Sequence, residues 1–96
     1  MTKHIRIRDW GKSLGSRARA AEVRQYIAAQ LDKGDSVRLD FGGVDVASPS
    51  FIDELVGKLF VAYEQHELRQ HLKIVGTDAE TRALIRRMVS ERTKKD

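Results

Sequence analysis

Apolar and polar residues alternate along three short stretches of the chain, as they do in strands with one buried face. The first stretch begins with isoleucines at alternate positions and ends near Trp10. The second covers residues 37–41 and extends to Val46 if the chain continues straight through the glycines that follow. The third covers residues 72–75. The pattern therefore predicts three strands.

Between and after these strands, apolar residues recur at the three- and four-residue spacing of helices. The first predicted helix runs from an N-cap at Ser16 to about Lys33, and the next residue is a glycine placed to end it. The second covers about 50–65 and is apolar on more than one face, so we expect it to be the most buried. The third follows a capping box formed by Thr77 and Glu80.

The order of these elements is β-α-β-α-β-α, with one helix between successive strands. Right-handed crossovers then give an α/β fold with a mainly parallel or mixed sheet covered by helices. The 96 residues form one small domain, 1–96, without an internal repeat or linker. The polar tail, about 91–96, is expected to fray.

Composition narrows the functional classes. The chain has no cysteine, which excludes disulfides, thiol catalysis and thiolate metal sites. Because the sequence has neither the ~18-residue apolar run of a membrane span nor the apolar core of a signal peptide, we expect a cytoplasmic protein with no membrane partner. The net charge is +4, and basic residues crowd both ends, which is typical of solvated helix faces more often than of a nucleic-acid patch.

The sequence does not contain a convincing catalytic constellation. Gly11-Lys12-Ser13 has the ending of a phosphate-binding loop, but Arg6 stands where that loop needs its first glycine. The histidines lack metal-ligand spacing, and Asp53 and Glu54 lie about 100° apart on a helix, unlike a carboxylate dyad. We therefore expect no catalytic residue, metal or cofactor, and no enzymatic activity.

The most informative segment is Ser48-Pro49-Ser50 at the start of the second helix, followed by Asp53 and Glu54. Free backbone N–H groups and the helix dipole favour a phosphate at such a position. Two accounts need no function: Ser50 caps the helix in a capping box with Asp53, or Ser48 caps it and Pro49 takes the first helical position. The residues alone leave capping and phosphorylation open.

Three segments resemble a known family. Residues 37–44, VRLDFGGV, and 48–55, SPSFIDEL, are similar to the "strand–LDF–GV" and "S-F-x-D-E-L" segments of the bacterial STAS-like domain of unknown function. Residues 14–20, LGSRARA, resemble the "L-x-S-R-x-x-A" segment that opens its first helix. The resemblance extends over roughly residues 5–90 and implies a STAS-like fold.

The wider STAS group includes anti-sigma-factor antagonists, which dock on an ATP-binding serine kinase. In those proteins the kinase phosphorylates a serine after a central strand, in a D-S-S-G segment, and this weakens docking. Ser50 falls at the phosphorylated position, while Ser48, Pro49 and Phe51 replace the other three residues. The resemblance thus implies an ATP-binding serine kinase or histidine-kinase-like ATPase as partner.

The resemblance implies a non-catalytic regulatory module for protein interactions, with phosphorylation of Ser50 as its switch. A phosphate there would add about −1.5 to −2 charges. We expect Asp53 and Glu54, at the same end of the helix, to repel it. The predicted contact surface consists of Asp45, Ser48, Ser50, Phe51, Asp53 and Glu54.

A rival interpretation concerns residues 5–14, IRIRDWGKSL, which resemble the "W-G-N-S-x-x-x-R-I-P" opening of swapped-hairpin antitoxins. Those are dimeric DNA-binding regulators, so this interpretation implies a nucleic-acid partner. Lys12 replaces the asparagine and the Ile-Pro pair is missing, which makes it the second choice. A helix content well above the strand content would favour the STAS-like fold.

Overall fold

The structure, a computed structural model, describes residues 1–11, 13–44 and 46–94. Its strands are β1 (Thr2–Arg6), β2 (Ser13–Leu14), β3 (Ser36–Asp40), β4 (Val46–Ala47) and β5 (Leu72–Val75). Its α-helices are α1 (Arg17–Asp32), α2 (Pro49–Ile52), α3 (Lys58–Ala62), α4 (Gln65–His71) and α5 (Ala79–Thr93). A 3-10 helix follows β1 at Ile7–Trp10, and a π-helical turn joins α2 to α3 at Asp53–Gly57.

Strands β1, β3 and β5 form a parallel sheet in that spatial order. Ile5 lies opposite Leu39 in the register, and both side chains are buried on the face that carries the helices. The alternate positions point the other way, because successive side chains in a strand face opposite sides. Arg38 and Lys73 therefore lie side by side on an exposed face. The predicted α/β class with a parallel sheet is confirmed.

One hydrophobic core lies between this sheet and the helices. The second predicted helix, now α2, the π-helical turn and α3, is the most buried, as expected, with Phe51, Ile52, Leu55 and Val56 all fully buried. Strand and helix positions predicted to be apolar also meet in this core. The buried apolar residues are Ile5, Ile7, Ala20, Val23, Ile27, Val37, Leu39, Phe41, Phe51, Ile52, Leu55, Val56, Leu59, Phe60, Leu68, Leu72, Met88 and Val89.

The first helix agrees with the sequence prediction at both ends. The Ser16 hydroxyl accepts a hydrogen bond from the Arg19 N–H at 3.3 Å, which caps α1. Helix α1 ends at Asp32, and Gly34 follows with φ +88°, a left-handed conformation that glycine adopts at little cost.

The later helix boundaries differ from the prediction. The second helical segment ends at Ala62, not near residue 65, because Tyr63 is extended and Glu64 caps a new helix, α4, through the N–H of Glu67. In α5 the N-cap is Asp78, whose carboxylate accepts the Thr81 N–H at 2.7 Å, so the predicted Thr77–Glu80 capping box is wrong by one residue.

The strand boundaries also differ from the prediction. The first strand ends at Arg6, because the chain turns into the 3-10 helix, where Ile7 is fully buried and Trp10 packs on Tyr26 with ring centroids 6.0 Å apart. The extension of the second strand to Val46 is wrong as well. A turn with Gly43 at φ +78° ends β3, and the chain then forms the separate strand β4.

Strand β4 pairs in parallel with β2, and neither of these two short strands is predicted as a separate strand from the sequence. The pair is only two residues long, too short for an alternating pattern to be recognised. It holds the loop before α1 beside the segment that leads into α2. The two helix starts are thereby brought together.

Candidate functional site

Ser48, not Ser50, caps the second helical segment. Its hydroxyl oxygen accepts the N–H of Phe51 at 3.1 Å and donates to the carbonyl of Gly15 at 3.2 Å. Pro49 occupies the first helical position, where its missing N–H has no cost. Of the two capping arrangements that the sequence allows, the structure has the second.

Ser50 is therefore free of the capping role. It is half-buried and lines a shallow surface cavity of about 300 Å³ together with Arg17, Asp53 and Arg92. Among the described residues its hydroxyl has no hydrogen-bond partner. Since Ser50 is the second residue of the helix, its backbone N–H also lacks an intrahelical acceptor. A polar group added at this hydroxyl would find both donors and space.

Asp53 is held between two arginines from different helices. Arg92 of α5 donates two hydrogen bonds to its carboxylate, Nε to Oδ1 and Nη2 to Oδ2, each at 2.7 Å. Arg17 of α1 contributes a third, from Nη1 to Oδ2 at 3.1 Å. The hydrogen bonds from Arg92 are the main reason that the pKa of Asp53 falls from 3.8 to about 2.

Glu54 forms a second and more buried group of ion pairs. Its residue surface is 7% exposed, and Arg24 Nη1 lies 2.6 Å from Oε2 and also donates to the Glu54 carbonyl at 2.7 Å. Lys58 Nζ lies 3.0 Å from Oε1. The hydrogen bond from Arg24, then that from Lys58, lowers the pKa of Glu54 from 4.5 to about 2 against the opposing effect of burial.

Arg17 joins the two groups, because its Nη1 also lies 3.3 Å from Oε1 of Glu54. The sequence predicts that the side chains of Asp53 and Glu54 point about 100° apart on the helix. In the π-helical turn, however, both carboxylates contact the Arg17 guanidinium. We call the set Arg17, Arg24, Asp53, Glu54, Lys58 and Arg92 the ion-pair network. It ties α1, the π-helical turn and α5 together next to Ser50.

The carboxylates of the network stay charged and are not suited to proton transfer. Both carboxylates are ionised near neutral pH, since each pKa is about 2, and general acid–base catalysis needs a pKa closer to the working pH. Four cationic side chains surround the two carboxylates of the network. In the cavity beside Ser50 itself, Arg17 and Arg92 are balanced by Asp53 and Glu91. The repulsion expected between these carboxylates and a phosphate on Ser50 stays a prediction, and the arginines beside them would oppose it.

The other predicted contact residues have different positions. The Phe51 side chain is fully buried in the core, and Ser48 is half-buried in its capping role. Asp45 lies outside the described residues. Whether these residues and the two carboxylates touch a partner stays a prediction, but the exposed part of the surface belongs to Pro49, Ser50 and the network arginines.

The arginines were the part of the site that sequence reasoning missed. Arg24 and Arg92 contribute only to the basic charge at the two ends of the chain in the sequence, and Arg17 is the arginine of the family-like segment 14–20, with no site role expected for it. One available signal was the presence of two adjacent carboxylates within a helix that is otherwise apolar on several faces. Such buried carboxylates require cationic partners from neighbouring elements.

The described ranges contain neither a metal-binding cluster nor a membrane-spanning helix. Residues 1–11, 13–44 and 46–94 contain no group of three histidine, cysteine or acidic side chains arranged to hold a metal ion. No helix in these ranges has the length and apolar character needed to cross a membrane.

Comparison with known families adds to this geometry. The family model of the STAS-like domain of unknown function matches residues 19–82, which include β3, the Ser50 segment and β5. The chain belongs to this family. No curated protein and no solved structure matches this STAS-like domain.

The fold also bears on the rival antitoxin interpretation. Residues 5–14 contribute to β1, the 3-10 helix and β2, and these strands pair in parallel with β3 and β4 rather than with each other. A swapped hairpin requires antiparallel pairing within that segment. Helical residues also far outnumber strand residues in the described chain, as the STAS-like fold demands.

Proposed function

We propose that this STAS-like domain is a regulatory protein-interaction module, and that a phosphate on Ser50 weakens its contact with a partner. The observation that carries the proposal is that the two serines of this segment have different roles. Ser48 caps the helix, so the Ser50 hydroxyl is half-exposed and without a partner among the described residues. Membership of a STAS-like family is consistent with a regulatory interaction role.

The arginines of the ion-pair network support Ser50 as a site that tolerates a phosphate. Arg17 and Arg92 line the same cavity as Ser50, and arginine binds phosphate oxygens well through two parallel N–H donors. Glu91 also lines this cavity, but its carboxylate lies 3.5 Å from Arg87 Nε. A phosphate would therefore compete with Asp53 for two arginines and change the charge of the surface.

The partner that we propose is an ATP-binding serine kinase or a histidine-kinase-like ATPase. The resemblance to anti-sigma-factor antagonists is the support for this choice. The surface around Ser50 would enter the partner's active site, which needs an accessible serine at the edge of a rigid element. Pro49 is exposed next to Ser50, and the buried Phe51 side chain anchors the start of the helix in the core.

Affinity capture from nuclease-treated lysate of the native cell tests the proposal, with wild type, Ser50→Asp and Ser50→Asn as baits. Asparagine matches aspartate in size and lacks its charge, so the pair isolates charge from shape. We expect an ATPase that binds wild type and Ser50→Asn, is lost with Ser50→Asp, and phosphorylates Ser50 when ATP is added. Capture of the same ATPase by all three baits, or phosphorylation confined to other residues, would exclude a Ser50 switch.

A further inference from the structure

A second surface lies away from Ser50, along the outer edge of β5. Strand β5 pairs with β3 on one side, and among the described residues no strand pairs with its other side. A groove of about 610 Å³ runs between this edge and α5. Three consecutive β5 residues, 72–74, line it, although neighbouring side chains in a strand point to opposite faces. The groove therefore follows the edge of the strand itself.

The floor of the groove is apolar. Phe60 and Leu72 contribute from α3 and β5, and Ile85 and Val89 from one face of α5. Ile74 and Ile85 are only half-buried, so apolar surface remains uncovered next to unpaired backbone groups. An exposed strand edge beside an apolar floor is the arrangement to which an extended peptide adds as a further strand.

The charges around the groove are all of one sign. Arg69, Lys73 and Arg86 line it, and none of its lining residues is acidic. Arg69 stacks over the Phe60 ring at 5.2 Å from the centroid, which places a cation directly at the apolar floor. Arg69 and Lys73 also line an adjoining cavity of about 290 Å³ that includes Arg38. The cationic rim thus continues from the groove onto the exposed face of the sheet.

We infer that this groove, which we call the β5 groove, binds an extended segment of a partner protein in which acidic and apolar residues alternate. The segment adds to β5 as a parallel or antiparallel strand. Its apolar side chains lie on Ile85 and Val89, and its acidic side chains face the cationic rim. Charge complementarity selects an acidic segment, and the strand edge selects an extended one. This surface is separate from Ser50, so the inference does not depend on the proposed switch.

A short fluorescein-labelled peptide in which glutamate alternates with valine is the probe, measured by fluorescence anisotropy. A lysine–valine peptide tests the charge requirement, and a glutamate–valine peptide with alternate amides N-methylated tests strand pairing. We expect saturable binding of the first peptide only. Amide chemical-shift changes in residues 72–75 should accompany it in NMR spectra of the labelled protein.

Two adjacent residues of α5 supply matched variants. Arg86 lines the groove, whereas Arg87 is exposed outside it. We expect Arg86→Glu to weaken peptide binding about five- to tenfold and Arg87→Glu to leave it unchanged. Ser50→Asp should also leave it unchanged, which separates this test from that of the switch. Equal binding of the N-methylated peptide, equal effects of the two arginine variants, or no saturation up to about 1 mM peptide would overturn the inference.

Discussion

The replacement Glu54→Gln tests whether the ion-pair network holds the helices together. Glutamine keeps the shape of the side chain and removes only its charge. The change leaves Arg24, whose side chain is 21% exposed, and Lys58 beside a neutral amide. Because removal of one partner leaves the other charges uncompensated in a partly buried place, we expect the folded state to lose stability.

The lowered pKa gives the size of this loss. A shift from 4.5 to about 2 corresponds to an upper bound of about 3 kcal/mol, at about 1.4 kcal/mol for each pKa unit. The cations around Glu54 are partly in contact with water, and this screening reduces the expected loss to about 2 kcal/mol. With a urea dependence of about 2 kcal/mol/M, the midpoint of unfolding should fall by about 1 M.

Urea unfolding followed by far-UV circular dichroism measures this loss, at about pH 7 and again at about pH 3. The folded-state pKa of Glu54 lies below its unfolded value, so its contribution is present above pH 4.5 and is lost as pH falls towards 2. We therefore expect the difference between wild type and Glu54→Gln to shrink by more than half at the lower pH.

Glu22→Gln is the matched control. Its carboxylate also faces an arginine, at 3.9 Å from Arg19, but its side chain is 58% exposed. Exposed pairs of this kind contribute little, so the control should change stability by less than about 0.5 kcal/mol. An equal loss in both variants, or a Glu54→Gln loss that does not depend on pH, would refute the reasoning.

Two further predictions concern the same surface. Ser48→Ala removes the cap, so it should lower the free energy of unfolding by about 1 kcal/mol and the melting temperature by about 4–8 °C. Ser50→Ala should leave both nearly unchanged. Thermal unfolding measures the two variants, and a larger loss with Ser50→Ala would mean that Ser50 caps the helix. Gly57→Ala would place a Cβ 2.8 Å from Asp53 Oδ1 and 3.1 Å from Arg92 Cγ, so it should separate the ion pair between Asp53 and Arg92. The pKa of Asp53 should then rise from about 2 towards its ordinary value, which an NMR titration measures. An unchanged pKa would mean that the side chains shift without separating.

The fold could be predicted where each element carries its own periodic signal. Strand β5 was predicted at its observed bounds, 72–75, and α1 almost to the residue, because alternation and helical spacing depend on local burial. Strands β2 and β4 could not be predicted, since two residues of pairing are decided by tertiary contact. The break after Ala62 was missed because Glu64, as a cap, lies outside the usual cap residues.

Only the serines and carboxylates of the candidate site could be predicted from the sequence, and the arginines could not. The serines and carboxylates of residues 48–54 are contiguous, so their grouping needed no fold. Arg17 and Arg92 lie 36 and 39 residues away from Asp53, and only the packing of α1 and α5 on the π-helical turn brings them there. Both serines fit a cap pattern in the sequence, and the structure uses Ser48, whose hydroxyl also donates to the carbonyl of Gly15, 33 residues away.

The contact between Trp10 and Tyr26 gives the protein a built-in optical probe. Trp10 is the only tryptophan of the chain, and it lies at the junction of the 3-10 helix with α1, outside both surfaces proposed to bind partners. Its emission reports how the N-terminal strand segment packs on the first helix, while ellipticity reports the helices as a whole. Coincidence of the two unfolding curves would mark the sheet edge and the helical layer as one cooperative unit.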